Sequence, residues 1–314
     1  MRVRLLVNPK ASSMTPARWA HLEAGLAASH RVDTVATKAR GHATALAAAA
    51  AADGIEVVVV AAGDGTLNEA AAGLLGTATA LAALPGGSTN VFARAVGFPN
   101  RLRPALAALL VALGTDPVRP LGIGLAGDRP FLCHLGAGFD AAVVARMERL
   151  DPRVKRIAAH PAFAWQTLRT LAHGVDRATP VVHVTTPDGQ HHAARFTVVS
   201  NLAPYSYVGP RRMLLTPDAG PDRPLAVTSM TRLRLRDAVG AFGSSVGRAR
   251  HLQHTREVVQ LRDVHALRLE APDGAFPWQV DGDHLGTTAT LDVRYAPDAL
   301  RVVLPVRPGA GTRS

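Results

Sequence analysis

The sequence predicts a two-domain α/β protein, in which a doubly wound domain with a parallel sheet precedes a mostly antiparallel β-sandwich domain. The first observation behind this prediction is length, because 314 residues suit two domains better than one. The second is that strand-like and helix-like runs alternate up to about residue 117, as they do in parallel α/β sheets. The third is that strand-like runs dominate beyond residue 117, separated by Pro-Asp-Gly turns at 187–189 and 272–274.

The elements of the first domain follow from hydrophobic spacing. Four successive valines within the segment 55–61 predict a buried strand, while Trp19, Leu22 and Leu26 have the spacing of one helix face. The predicted elements are strand 2–7, helix 16–29, strand 32–37, helix 41–52, strand 55–61, helix 67–75, strand 80–84 and helix 105–113.

Strands outnumber helices in the rest of the chain. We expect residues 1–117 to form the first domain and residues 118–297 the second, with a last strand, about 298–306, as a candidate for returning to the first domain. The predicted strands are 130–135, 180–186, 194–200, 225–229, 257–261, 265–270, 288–295 and 300–305, and the predicted helices are 141–150, 158–173 and 235–248.

The chain is strongly basic, with a formal net charge of +11. Arginine carries nearly all of the positive charge, since only three lysines occur. An arginine-biased composition explains this charge, and so does a surface attracted to anionic lipid, so both interpretations stay open. No basic block carries interleaved aromatic residues, which argues against nucleic acid as a partner.

Cysteine content and targeting signals indicate a cytoplasmic protein. The single cysteine, Cys133, excludes an internal disulfide and fits a reducing compartment. The N-terminal segment lacks the apolar core of a signal peptide, and the longest clean apolar run, 105–113, is far shorter than a membrane span. We therefore expect a soluble protein with at most peripheral membrane contact, and a homodimer is left open.

A segment after the buried strand has the composition of a phosphate-binding turn. Residues 63–69, GDGTLNE, place two glycines, an acid and a hydroxyl before a predicted helix. Backbone N–H groups at a helix N-terminus lie at the positive end of the helix dipole and favour phosphate. A carboxylate such as Asp64 beside phosphate indicates an intervening Mg²⁺ or a polarised hydroxyl. An ordinary Asp-Gly turn with a capping Thr or Asn is the alternative interpretation.

Segments of similar composition follow other predicted strands. NPKAS at 8–12 follows the first strand, Thr37 ends the second, and LPGGSTNVFAR at 84–94 follows the strand 80–84. The carboxyl ends of parallel strands meet at one edge of an open sheet, where α/β proteins bind nucleotides. We therefore expect these segments and the GDGT turn to form one site.

The ordered set of motifs resembles the diacylglycerol kinase-type catalytic domain family, which includes bacterial soluble lipid kinases, diacylglycerol kinases and sphingosine kinases. The GDGT turn is shared with NAD kinases and phosphofructokinases, whereas the FAR-containing segment and the late DG-acid motif are more specific to lipid kinases. The motifs span almost the whole chain: NPKAS at 8–12, TxxxGHA at 37–43, GDGTLNE at 63–69, PGGSTNVFAR at 85–94, GAGFDA at 136–141 and VDGD at 280–283.

This resemblance implies a lipid/NAD kinase-like architecture, in which a nucleotide-binding α/β domain precedes a β-sandwich domain. It implies transfer of the γ-phosphate of ATP, with Mg²⁺, to the hydroxyl of a membrane lipid such as diacylglycerol at the membrane surface. Carried over by position, the nucleotide-binding residues would be Asn8, Pro9, Lys10, Ala11, Ser12, Thr37, Gly63, Asp64, Gly65, Thr66, Leu67, Asn68, Glu69 and Ser88.

The resemblance also assigns catalytic roles to Asp64 and Asp283. Asp283 stands in the acid position of the DG-acid motif. It would be the general base that takes the proton from the lipid hydroxyl as this attacks the γ-phosphate. Taken alone, residues 280–283 also fit an Asp-Gly hairpin turn between two strands.

The sequence departs from the family pattern at several positions. Ala62 stands where the family usually has the first glycine of GGDGT, and alanine disfavours positive φ. Ser88 replaces a threonine but keeps its hydroxyl, Asp283 replaces a longer glutamate, and Pro120 stands where an acid is common. In the stretch that supplies metal ligands in the family, Asp222 is the remaining candidate.

Two other functions stay open at this level. An NAD kinase-like enzyme would share the GDGT turn but would not need the FAR-containing segment. A catalytically weakened nucleotide- or lipid-binding regulator would explain Ala62, Pro120 and the altered metal stretch. The lipid acceptor has no motif, because acyl pockets are built from scattered apolar side chains.

Overall fold

The computed structural model describes residues 1–115, 118–148, 181–232 and 257–306. The chain divides into two units. Unit 1 consists of Met1–Leu121 together with the residues from Asp298 onward, and unit 2 consists of Gly122–Pro297. The predicted helices 158–173 and 235–248 lie outside the described residues.

Unit 1 is a parallel sheet whose strands alternate with helices. Along the chain it contains β1 (Arg2–Val7), α1 (Pro16–Ala27), β2 (Arg31–Ala36), α2 (His42–Ala52), β3 (Val57–Ala62), α3 (Asp64–Leu74), β4 (Ala80–Pro85), α4 (Val91–Ala95) and α5 (Leu102–Leu113). The strands pair in parallel in the order β2-β1-β3-β4. Every residue of β3 is buried, as expected for a valine-rich strand inside a parallel sheet.

Unit 2 consists mainly of antiparallel strands. Its elements are β5 (Val118–Ala126), whose first residues belong to unit 1, β6 (Arg129–Phe131), β7 (His134–Gly138), α6 (Phe139–Glu148), β8 (Val182–Thr185), β9 (His191–Ala194), β10 (Phe196–Ser200), β11 (Ser206–Val208), β12 (Arg211–Met213), β13 (Leu225–Met230), β14 (Val258–Val264), β15 (Ala266–Glu270), β16 (Phe276–Val280), β17 (Asp283–Thr288) and β18 (Thr290–Val303), which ends in unit 1.

Two sheets of unit 2 share one core. The first has the antiparallel order β14-β13-β10-β7-β16-β17, and the second contains β18, β15, β8 and β9. Leu135 and Val199 of the first sheet belong to the same buried cluster as Val184 and Leu269 of the second. Unit 2 is therefore a β-sandwich, with a core formed by the inward-facing residues of both sheets.

The end of β18 belongs to the sheet of unit 1. Arg301 and Val302 pair in parallel with Ala80 and Leu81 of β4. The amide of Gly76 also donates to the carbonyl of Ala299 at 2.9 Å. A C-terminal segment thus extends a sheet that is otherwise built from the N-terminal part of the chain.

The predicted fold class is confirmed, but several elements differ from the prediction, and the strands predicted at 288–295 and 300–305 form the single strand β18. The helix predicted at 67–75 begins at Asp64, because the Asp-Gly-Thr of the motif forms its first turn. Helix α4 is absent from the predicted elements. Across the described ranges, no helix combines the length and the apolar character that crossing a membrane requires.

Candidate functional site

Three loops of unit 1 meet at the carboxyl ends of its parallel strands. Asn8, directly after β1, donates from Nδ2 to Thr66 Oγ1 at 2.9 Å, which joins the first loop to the GDGT segment. Ser13 Oγ donates to the carbonyl of Gly86 at 2.7 Å, which joins the first loop to the PGG segment after β4. The amide of Gly86 donates to the carbonyl of Ala62 at 3.0 Å. The structure therefore brings these three predicted segments together.

The PGG and GDGT segments pack backbone against backbone, and this contact explains their glycines. A Cβ on Gly86 would lie 2.7 Å from Cα and N of Ala62, and a Cβ on Gly87 would lie 2.7 Å from Cα of Gly63. Ala62 itself ends β3 and is not among the residues with positive φ, so its methyl group is compatible with this loop.

Helix α3 directs its N-terminus at this junction. Its N-cap residue, Gly63, has an extended backbone and supplies no side-chain cap. The N–H groups in the first turn of a helix have no acceptor inside the helix, and the helix dipole makes them favour an anion. Together with the Thr66 hydroxyl and the Asn8 amide, they form a site whose chemistry suits phosphate.

Asp64, the acid of the GDGT motif, binds the backbone of the next segment. Its Oδ2 accepts from Val91 N at 3.0 Å and its Oδ1 from Phe92 N at 3.1 Å. These are the first two residues of α4, and the N-cap residue Asn90 supplies no side-chain cap of its own. The carboxylate thus takes the place of an N-cap and ties α3 to α4. The metal-binding or catalytic role of Asp64 stays a prediction.

The remaining predicted nucleotide-binding residues differ in exposure and contacts. Those with exposed side chains are Pro9, Lys10, Ser12 and Ser88, and those that are half-buried are Asn8, Ala11, Thr37, Gly63, Gly65 and Thr66. Leu67 and Asn68 are buried. Glu69 accepts at Oε2 from Ala43 N at 3.3 Å, near the start of α2. Glu69 therefore links α2 to α3, a role that the sequence did not predict.

In unit 2, Asp283 follows a tight turn between β16 and β17. Val280 and Asp283 face each other across the hairpin, and the turn residues Asp281 and Gly282 have φ of 48° and 89°. Positive φ at both central residues is typical of a two-residue Asp-Gly hairpin. The hairpin interpretation of this motif is thus correct, and it leaves the half-buried Asp283 as the first residue of β17.

Asp281 fixes this turn to the loop before β7. Its carboxylate accepts from the amides of Leu132 at 2.8 Å, Cys133 at 2.8 Å and His134 at 2.9 Å. Its own amide donates to the carbonyl of His134 at 2.9 Å. Hydrogen bonds to an ionised acceptor are stronger than neutral ones, so the first acid of the VDGD motif holds the turn in place.

A buried hydrogen-bond network continues from the turn into the interior of unit 2. Gly282 N donates to Gln279 Oε1 at 2.8 Å, and Gln279 Nε2 donates to Asp140 Oδ2 at 2.8 Å. Tyr205 donates its hydroxyl to Asp140 Oδ1 at 2.7 Å. These three side chains were not among the predicted site residues. Only Asp140 has a local signal, the GAGFDA motif, because Tyr205 and Gln279 lie 65 and 139 positions away from it.

Burial controls the protonation of this network. Burial raises the pKa of Asp140, although nearby His134 and the hydrogen bonds from Tyr205 and Gln279 act in the opposite direction. Burial, with the Asp140 carboxylate, raises the pKa of Tyr205 well above its ordinary value, so the hydroxyl stays a donor. Burial lowers the pKa of His134 to about 4, so its ring, whose centroid lies 4.3 Å from that of Tyr205, is neutral at pH 7.

Comparison with known proteins identifies the family. The model of the diacylglycerol kinase catalytic domain matches residues 2–119. A probable lipid kinase, YegS-like, from Pseudomonas putida is 33% identical over 210 residues, which cover 60% of this chain and 70% of that protein. This chain belongs to the diacylglycerol kinase catalytic-domain family.

Two further members of the diacylglycerol kinase group resemble the chain. The diacylglycerol kinase of Bacillus subtilis is 38% identical over 113 residues, which cover 35% of this chain and 36% of that protein. The crystal structure of a diacylglycerol kinase from Bacillus anthracis has a TM-score of 0.70 at 20% identity and covers 96% of both chains. The structural likeness shows that the fold is shared.

The metal ligand predicted from the diacylglycerol kinase family pattern lies in an exposed position. Asp222 stands on the surface between β12 and β13. Within the part of the chain that the structure describes, no group of three or more His, Cys, Asp or Glu side chains is arranged to hold a metal ion. Since one carboxylate alone does not make a Mg²⁺ cage, these donors do not fit a metal held by the protein at Asp222.

Proposed function

We propose that this protein is an ATP-dependent lipid kinase that transfers the γ-phosphate of ATP to the hydroxyl of diacylglycerol or a similar lipid alcohol. Family membership supports a lipid kinase, and it favours this function over an NAD kinase-like enzyme. The observation that carries the proposal is the meeting of three strand-end loops around the N-terminus of α3, joined by the bond between Asn8 and Thr66.

In this proposal, unit 1 binds the phosphates of the nucleotide. Uncapped N–H groups of α3 and the Thr66 hydroxyl donate to phosphate oxygens. Gly86 and Gly87 let the PGG segment lie directly on the GDGT segment, where a Cβ would meet the backbone of Ala62 or Gly63. Lys10, exposed in the first loop, supplies positive charge to the nucleotide.

In unit 2, Asp283 acts as the general base and takes the proton of the lipid hydroxyl. Asp281 is unsuited to this task because its carboxylate is engaged by three backbone amides. The transition state of phosphoryl transfer is loose, so holding the acceptor oxygen in line contributes more than a strong base does. A carboxylate one methylene shorter than glutamate therefore suffices if the turn holds it in register.

Mg²⁺ that accompanies the nucleotide would neutralise charge on its phosphates. The described residues offer no acidic cage for it. The surplus of arginine gives the protein a positive charge that favours peripheral contact with anionic membranes.

The test is a transfer assay with [γ-³²P]ATP and Mg²⁺. The acceptors are diacylglycerol, monoacylglycerol and sphingosine, each in mixed micelles, and NAD in solution. We expect label in the lipid fraction, strongest with diacylglycerol. Label in NAD alone would contradict a lipid kinase, and ATP binding without label in any acceptor would favour the regulator.

A further inference from the structure

We propose that Asp140, Gln279 and Tyr205 are positioning residues of the transfer reaction, which act by holding the Asp281–Gly282 turn that carries Asp283. The inference rests on the proposed function, in which Asp283 is the general base. These side chains extend the assigned site from the surface turn into the buried interior of unit 2.

The Gly282 amide determines the direction of the bonds that run through Gln279 to Asp140. The amide of Gly282 can only donate, so Gln279 must present Oε1 to it and direct Nε2 toward Asp140. Tyr205 donates from the other side. Residue 140 must therefore accept two bonds at once, which a carboxylate does and an amide cannot do in the same geometry.

The network is buried, and a glycine without a side chain leaves space for it. Asp140 is 4% exposed, Tyr205 is 6% exposed and Gln279 is fully buried. A Cβ on Gly136 would lie 1.8 Å from Asp140 Oδ2 and 2.6 Å from Gln279 Nε2. The first glycine of GAGFDA thus leaves the space that the carboxylate–amide pair occupies. Buried polar networks of this kind rigidify the backbone to which they are bonded.

The network acts on the reaction through Gly282, the residue at its end that directly precedes Asp283. Gly282 is exposed and has φ of 89°, so the bond to Gln279 restrains its peptide beyond the anchoring that Asp281 gives the turn. Asp283 follows it directly, and a displacement of about 1 Å in a reacting group can cost roughly 100-fold in rate. Loss of the network should therefore lower kcat more than it changes the KM for ATP.

The decisive experiment exchanges the two polar groups. Asp140→Asn leaves residue 140 with one acceptor for two donors, and Gln279→Glu sets two carboxylates against each other. In the double variant, the new amide at position 140 would donate to the carboxylate at position 279, whose other oxygen would accept from Gly282. Tyr205 would still donate to residue 140, so the exchange restores every bond.

We expect each single variant to lose about 10- to 100-fold in kcat with diacylglycerol, as a misplaced catalytic group does. The KM for ATP should stay within about threefold of the wild-type value, and the double variant should recover kcat to within about threefold. Singles with wild-type kcat, or a folded double variant as slow as the singles, would overturn the inference.

A matched control exists on the surface of unit 2. Gln190 Nε2 donates to Asp188 Oδ2 at 2.8 Å in the exposed turn between β8 and β9. The same exchange there, Asp188→Asn with Gln190→Glu, makes the same chemical change away from the Asp281–Gly282 turn. Its kcat should equal that of the wild type. A loss there equal to that of the network singles would show that the exchange acts nonspecifically, and would overturn the inference.

Hydrogen exchange of the Gly282 amide, measured by NMR on glycine-labelled protein, separates this inference from the proposed function. We expect slow exchange in the wild type and the double variant, and exchange at least about tenfold faster in the singles. If the wild type phosphorylates no lipid, the proposed function fails, while this pattern would still support positioning of the turn. Equal exchange rates in all four proteins would overturn it.

Discussion

Unit 1 and unit 2 hold their motif loops by different means. In unit 1, the backbone of Gly86 lies directly on the backbone of Ala62. In unit 2, the turn before Asp283 is held by the buried side chains of Asp140 and Gln279. A contact between two backbones leaves no room for any side chain, whereas a side-chain network can be rebuilt from other side chains. We therefore expect every substitution of Gly86 to destabilise unit 1, whereas a substitution in the network of unit 2 can be compensated by a second one.

The largest effect is expected in unit 1 from Gly86→Ala. The new methyl group would lie 2.7 Å from backbone atoms of Ala62, which cannot rotate away. We expect the free energy of unfolding to fall by about 3 kcal/mol and ATP binding to weaken with it. Urea denaturation and ATP titration measure the two effects. Gly114→Ala is the control, since φ there is −83° and the nearest atom is 3.5 Å away.

Gly136→Ala should have a slightly smaller effect, of about 2 kcal/mol, because its clash is with the side chains of Asp140 and Gln279. Because a side chain can be shortened by mutation, a second substitution should relieve this clash. With Asp140→Ala already present, Gly136→Ala should cost little more, which a double-mutant cycle of unfolding free energies detects. Additive costs would contradict the contrast between the two units.

Asp281 and Asp64 can be compared, because the carboxylates of both accept hydrogen bonds from backbone amides. Asp281 accepts from three backbone amides and Asp64 from two. We expect Asp281→Asn to lower the free energy of unfolding by about 2 kcal/mol and Asp64→Asn by about 1 kcal/mol. In each variant, the NH₂ group of the new asparagine would face a backbone N–H donor. Asp273→Asn, on an exposed turn, should change nothing measurable. The reverse order for the first two would contradict the contacts described.

The smallest effect concerns pH and comes from a buried histidine of unit 2. An unfolded histidine takes up a proton near pH 6.5, but buried His134 does so only at about pH 4. Between these values the unfolded state binds more protons, so stability falls as the pH falls. Asp140 opposes this loss because its raised pKa lets the folded state take up a proton first. We expect a net loss of roughly 1 kcal/mol that is absent from His134→Gln, measured by denaturation at both pH values.

The sequence predicted the meeting of the strand-end loops in unit 1 better than the network behind the turn in unit 2. Glycines, Asn8 and Thr66 stand next to strand ends, and parallel topology alone brings such positions together. The start of α3 at Asp64 was harder to predict, because Gly-Asp-Gly is typical of loops although a first helical turn tolerates it.

The network behind Asp283 could not be predicted because its members are far apart in the chain. Tyr205 and Gln279 carry no turn, cap or periodic signal. Gln279 reaches Asp140 because β16 pairs with β7, whereas Tyr205 lies in the segment between β10 and β11. The GAGFDA motif indicated that Gly136 and Asp140 mattered, but not that one leaves space for the other. The assignment of individual residues to nucleotide binding and catalysis stays a prediction.

The role of Asp283 as the general base is tested by two quantities in Asp283→Asn: the Kd for ATP and the initial rate of phosphate transfer to diacylglycerol. We expect a Kd within about threefold of the wild-type value and a rate at least about 100-fold lower, as loss of a general base produces. Asp273→Asn should match the wild type in both. Transfer by Asp283→Asn at the wild-type rate would contradict the assignment of Asp283 as the base.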